Sequence, residues 1–142
     1  MIKRKASAEW RGGLKDGKGS VSTASGVLSN TQYSFGTRFE SGQGTNPEEL
    51  IAAAHASCFA MALSAQLGEA GMTAETIQAS AEVTLEKQEA GWTVTASHLT
   101  VRARIPSGDR QKFDQAANNA KNGCPISKLL KANITLDAAL ES

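Results

Sequence analysis

The sequence predicts an α+β fold, with antiparallel β-sheets built from hairpins laid on helices in the order β-β-β-α-β-β-α-β, in one domain over residues 1–142. Three observations carry this. A capped, largely apolar helix opens at Asn46-Pro47. An alternating segment from Ile77 to Leu85 meets a turn at Glu89-Ala90-Gly91 and returns from Trp92 to Ile105. Shorter alternating segments precede the first helix and follow the second, with no internal repeat. Strands grouped in runs, with helices between the runs, pack as layers of one core. A chain of this length buries roughly two-thirds of the surface its unfolded form exposes.

Residues 2–11 read as a first strand, ending near Trp10. The glycine-rich stretch Gly12 to Gly19 is a turn, and Val21, Thr23 and Ser25 make a second short strand. Its glycines and lysines do not meet the phosphate-loop pattern, so a hairpin connection is the reading. Tyr33, Phe35, Thr37 and Phe39 alternate with Ser34, Gly36 and Arg38, which predicts a third strand with its aromatic face in the core and Arg38 on the other face. The first helix is punctuated clearly. Asn46 is a good N-cap, Pro47 suits the first helical position, and Glu48 and Glu49 suit the positive end of the helix dipole. Glu49 is placed to close a capping box. Leu50, Ile51, Ala54, Cys58, Met61 and Ala65 recur near the helical period, and Gly68 and Gly71 end the run.

In the returning arm of the hairpin, Trp92, Val94 and Ala96 have one parity and Leu99, Val101, Ala103 and Ile105 the other. The slip predicts a bulge or bend near Ser97-His98. Pro106-Ser107-Gly108-Asp109 stops that strand and caps a second helix of about 110–122. Pro125 opens a helical turn through Lys131 and holds Cys124 outside the α region. Ile134, Leu136, Ala138 and Leu140 form a last strand.

A net charge of +1 makes no electrostatic case for nucleic acid or an anionic membrane. No uninterrupted apolar run approaches the ~18 residues of a membrane span. The basic start Met1 to Lys5 leads into no apolar segment, so no signal peptide is expected. Two cysteines are too few for a secreted disulfide framework, and the expected compartment is the cytoplasm.

The chemistry rests on Cys58 and Cys124. Free cysteines are usually small buried hydrophobes, and that alternative stands beside the others. Three features favour more. Cys58 shares its region with Glu48 and Arg38. Cys124 lies at a helix–proline junction. The two lie too far apart for a local redox or zinc pair, so only folding can bring them together. His55 stands one turn before Cys58. Zinc binding by His55, Cys58, His98 and Cys124 has no standard spacing, and a protease-type dyad lacks an accompanying motif. A hydrogen-bonded histidine at an interface is the simpler reading, and no metal or cofactor is expected.

Thr45-Asn46-Pro47-Glu48-Glu49-Leu50, the alanine-rich helix after it and Ala56-Ser57-Cys58-Phe59 resemble the first signature of the OsmC/Ohr family. Gly123-Cys124-Pro125-Ile126-Ser127 resembles the second, and the likeness extends over essentially the whole chain. Details favour the branch of the osmotically inducible proteins over that of the organic hydroperoxide resistance proteins. The resemblance implies a thiol-dependent peroxidase for organic hydroperoxides in oxidative or osmotic stress defence. It implies an intertwined homodimer, sheets wrapped around central helices, with active sites at the subunit interface. Lipoyl-type dithiols are the reductant of several members.

In that scheme Cys58 is the peroxidatic thiol, attacking a peroxide oxygen to become a sulfenic acid. Cys124 is the resolving thiol, closing a disulfide that a dithiol reduces by exchange. A free thiol ionises near 8.5, and Cys58 lies about three turns past the N-cap, beyond reach of the helix dipole. A cation must supply the shift, and Arg38, its fork held by Glu48, is the first candidate. Arg11, in the glycine-rich loop, is the second, by likeness to the other branch. Glu48 and Cys58 lie ten residues apart, roughly 15 Å along a helix. Two such helices crossing antiparallel near Ala53 would let Glu48 of one chain serve Cys58 of the other. Phe39, Phe59, Ile126 and Leu129 are candidates to line an apolar pocket. The rival functions are a redox sensor using the same disulfide and a non-catalytic dimer binding an apolar ligand.

Overall fold

The structure, a computed structural model, describes residues 1–142. Its elements run β1 (Ala6–Arg11), β2 (Lys18–Thr23), β3 (Thr31–Tyr33), α1 (Phe35–Phe39), α2 (Pro47–Glu69), β4 (Thr76–Gln88), β5 (Gly91–Arg104), α3 (Arg110–Gly123), α4 (Pro125–Leu129) and β6 (Asn133–Glu141). The α+β class is as expected; the order differs by two short helices. The chain divides into two compact units, Met1–Leu50 and Ile51–Ser142.

In the first unit β1, β2 and β3 form an antiparallel meander. Gly19, in β2, lies beneath the rings of Trp10 and Tyr33, whose centroids are 5.6 Å apart. A Cβ there would come within 2.6 Å of the tyrosine ring. The predicted third strand is corrected: pairing stops at Tyr33, and Phe35–Phe39 is helical. Ser34 Oγ accepts from Thr37 N–H, and Thr37 Oγ1 accepts from Ser34 N–H, a complete capping box. Phe35 and Phe39, one turn apart, bring their rings to 5.0 Å. A box and an i,i+4 aromatic pair outweigh a period-2 pattern that is only a few residues long.

The second unit holds the core. β4 and β5 pair antiparallel around a two-residue turn, with Gly91 at φ +115°, a value that glycine adopts without steric cost. The all-antiparallel expectation is corrected by β6, which pairs parallel with β5. α3 and α4 carry the chain back to the start of the sheet, so a crossover replaces a hairpin. The register shift falls between Thr84 and Leu85, opposite Ala96 and Val94, leaving Thr95 as the extra residue. It lies two residues before the predicted slip, and it bends one sheet rather than joining two.

β5 presents Ser97, Leu99, Val101 and Ala103 to the core, Ile105 follows just past its end, and α3 meets them with Phe113, Ala116, Ala117 and Ala120. The buried stripe of α2 is His55, Phe59, Leu63 and Leu67. This corrects the predicted face: Met61 is 79% exposed, because equally apolar sides leave the period ambiguous and tertiary packing chooses. The start and end of α2 match expectation. Asn46 Oδ1 accepts from Glu49 N–H at 2.8 Å. At the other end, Gly71 (φ +79°) is followed by the Met72 N–H to Leu67 O bond of a Schellman motif. α2 has the length and mean hydropathy (1.5) of a membrane span, a match the broken apolar run did not predict. Three of its leucine and phenylalanine side chains fill the core, which is how a core helix reaches the same hydropathy.

Candidate functional site

Two clusters carry the predicted chemistry, one in each unit. In the first, the loop before α2 is pinned at several points. Thr45 N–H donates to Gln32 O, and Asn46 Nδ2 donates to Thr37 O at 2.9 Å. Gly44, at φ +125°, approaches Gln32 so closely that a Cβ would lie 2.6 Å from its carbonyl oxygen. Glu49 does not close the predicted capping box; its carboxylate accepts from Thr45 Oγ1 at 2.8 Å. These ties bring the start of α2 against α1. Arg38 Nε and Nη2 then donate to Glu48 Oε1 and Oε2, both at 2.9 Å. The pair is bidentate. Arg38 therefore projects from a helix, not from the predicted strand.

The Glu48 side chain is 12% exposed and that of Arg38 37%. The Glu48 bond, chiefly, holds the guanidinium even further above neutrality than usual. Beside Arg38 is a cavity of about 290 Å³ walled by Trp10, Leu14, Tyr33, Phe35 and Phe39. The guanidinium carbon lies 5.4 Å from the centre of the Phe39 ring. Arg11, the second candidate, pairs with Glu9 at 2.8 Å and its side chain is 81% exposed.

In the second unit Cys58 on α2 and Cys124 at the α3–α4 junction are neighbours, close enough for Cys124 to act on the ionisation of Cys58. Cys124 is 1% exposed and Cys58 half-buried. Cys124 is at once the C-cap of α3 and the N-cap of α4, at φ −65°, ψ 140°, the extended backbone that a following proline imposes. Its Sγ accepts from Ser127 N–H and lies 3.1 Å from Ser127 Oγ. Burial pushes the Cys58 thiol up, a backbone hydrogen bond from Ile126 pulls it down, and Cys124 pushes it up again. No cation is among the groups acting on it.

His55 is a core residue here and not an interface one: it is fully buried, with Ser97 Oγ 2.7 Å from Nδ1 and Ser127 Oγ 2.8 Å from Nε2. His98 faces outward to Thr135 and Asp137, and no three His, Cys, Asp or Glu side chains converge. Of the predicted pocket residues, Phe39 lines the aromatic cavity. Phe59 is buried in the core, Ile126 packs against it, and Leu129 is exposed. Sequence reasoning missed Trp10, Leu14, Ser97 and Ser127. The spacing Cys124-x-x-Ser127 at a proline-opened helical turn is the one signal that pointed to Ser127.

The family model described as OsmC-like protein matches residues 40–139. The chain is 52% identical over 141 residues to the peroxiredoxin OsmC of Escherichia coli (strain K12), covering 99% of each. It is 27% identical over 124 residues to the organic hydroperoxide resistance protein OhrB of Bacillus subtilis (strain 168), covering 87% of this chain and 89% of that one. The crystal structure of B. subtilis OhrB superposes with a TM-score of 0.67 over 96% of this chain and 98% of that chain. An OsmC-like protein from Mycoplasma pneumoniae, 10% identical, superposes at 0.78 over 99% of both and shows the shared fold.

Proposed function

The chain belongs to the OsmC family, and from that membership we propose that it is a thiol-dependent peroxidase reducing organic hydroperoxides to alcohols. The observation that carries the reading is the meeting of Cys58 and Cys124, a half-buried thiol beside a buried one from a distant part of the chain. Cys58 as thiolate attacks one peroxide oxygen; the O–O bond breaks, an alkoxide leaves, and Cys58 becomes a sulfenic acid. Cys124 attacks that sulfur, water leaves, and a disulfide forms. A dithiol of lipoyl type returns both thiols by exchange.

The thiolate is the difficulty, because burial disfavours it and nothing cationic acts on it. Arg38, held at two points by Glu48, is the missing cation. In this reading the pair is delivered as a unit by a second copy of the chain. The geometry of α2 supports such a dimer. Only 22% of its most apolar 18-residue window is buried, and Met61 stands exposed. Ser57, also exposed, turns its hydroxyl back onto Ala53 O and Ala54 O, so its donor is spent within the helix. The aromatic cavity beside Arg38 would take the organic half of the substrate. The site is assigned no metal or cofactor, and the cytoplasm and stress defence are its proposed setting.

Steady-state consumption of cumene hydroperoxide with dihydrolipoamide tests this. The wild type should turn over many times, Cys58→Ser not at all, and Cys124→Ser should stop after one equivalent. A wild type oxidised once and never recycled would make the protein a redox sensor. Full activity in Cys58→Ser would end the proposal.

A further inference from the structure

Four side chains of the second unit form one hydrogen-bonded line. It runs from Ser97 on β5 through His55 on α2 and Ser127 on α4 to Cys124, with steps of 2.7, 2.8 and 3.1 Å. His55 and Ser97 are fully buried and Ser127 almost so. The two-cysteine scheme uses neither the histidine nor the serines. We infer that this line is a proton relay for Cys124, in which Ser127 takes the thiol proton and passes its own to His55 Nε2. The inference rests on Cys124 being the resolving thiol.

An imidazole in an apolar core is costly unless both nitrogens are paired, and here both are. The partners are what matter. A carbonyl or carboxylate would lock one tautomer, whereas each hydroxyl both donates and accepts. The line can therefore reverse direction by rotating O–H bonds while every heavy atom stays in place. Burial also holds the imidazole below its ordinary pKa, so it is neutral near pH 7 with a lone pair to accept.

Few ionisable groups face the line. Burial alone shifts His55, and Cys58 on α2 has Cys124 as its one ionisable neighbour. His98, next to Ser97, bonds Thr135 and Asp137 on the outer face, and Lys128, next to Ser127, is exposed. Val83 of β4 and Ile134 of β6 are the register partners of Ser97. α3 turns alanines and Phe113 to the core.

The step balances. Cys58 sulfenic acid and Cys124 thiol give a disulfide and water. The S–S bond forms as the S–O bond breaks; the Cys58 sulfur is reduced and the Cys124 sulfur oxidised. The proton passes to His55 only while the S–S bond forms and returns through Ser127 to the departing hydroxide. Ser127 touches the reacting sulfur; His55 is a positioning residue that acts through it.

Single-turnover oxidation by cumene hydroperoxide, quenched and read by mass spectrometry, follows the sulfenic acid and the disulfide separately. Ser127→Ala should leave sulfenic acid formation unchanged and slow disulfide closure about 100-fold at pH 6–7. The deficit should shrink as pH rises, since hydroxide can then take the thiol proton without the relay. Ser127→Thr, which keeps the hydroxyl, should close within about threefold of wild type, and His55→Gln should show the same pH-dependent deficit as Ser127→Ala. Wild-type closure in Ser127→Ala at every pH overturns the relay and leaves the two-cysteine scheme standing. Equal, pH-independent losses in Ser127→Ala and Ser127→Thr also overturn it, in favour of packing. A wild type that forms sulfenic acid but no disulfide removes the scheme and the relay together.

Discussion

At a single residue, the environment decides what a side chain can do. Cys58 in its own unit is a poor nucleophile, because burial raises its pKa. Iodoacetamide labelling should show this directly. In Arg38→Ala, Cys58 should react only above the ordinary thiol range, and in wild type well below it. The same variant should lose about 100-fold or more in kcat/KM, the usual cost of removing one donor that stabilises developing negative charge. Arg11→Ala, which removes an exposed ion pair with Glu9, should stay within about twofold. His55 sets a pH limit on stability. Its folded pKa lies below that of the unfolded chain, so the stabilisation is complete above about 6.5. As pH falls below that value the unfolded state takes up a proton that the folded state refuses, and stability declines. Urea midpoints at pH 7.5, 6.5 and 5.5 should drop across the lower interval and hold across the upper one.

Elements are positioned by a few polar ties whose loss should spread. Asn46 both caps α2 and holds the end of α1 through Thr37 O. Asn46→Ala should cost ~1–2 kcal/mol in urea unfolding, at the upper end for an N-cap because a second bond goes with it. Activity should fall as well, since the same tie sets Arg38 against Glu48. A stability loss with unchanged kcat/KM would show that the ion pair aligns itself without the cap. The short helix α1 also explains a reading that failed. Tyr33, Phe35, Thr37 and Phe39 alternate as a strand does, but Ser34-x-x-Thr37 and Phe35-x-x-x-Phe39 are helical signals in the same residues. Over a stretch this short the two periods are hard to tell apart, and the capping hydrogen bonds tip the balance.

For the whole molecule, the proposed dimer makes its own prediction. Mixed dimers of Cys58→Ala and Glu48→Ala subunits should recover activity at one of their two sites if each Arg38–Glu48 pair serves the partner's cysteine. An inactive mixed species would place cysteine and ion pair in the same chain. Sedimentation at micromolar concentration should give a dimer, and Met61→Lys, which puts a charge on the exposed face of α2, should weaken it.

Local grammar was legible in the residues alone. The Asn46-Pro47 start, the Gly71 stop, the turn at Gly91, the Asp109 cap and the bend at Cys124-Pro125 depend on neighbours a few positions away. So does the family likeness, which is a string of such signals. The contact between Cys58 and Cys124 was legible only through that likeness, and the buried face of α2, the parallel pairing of β6 and the enclosure of His55 between Ser97 and Ser127 were not legible at all. Each depends on which distant surface a segment meets. A helix apolar on several sides carries no mark of the side that will be covered, and a serine carries no mark of the histidine it will face.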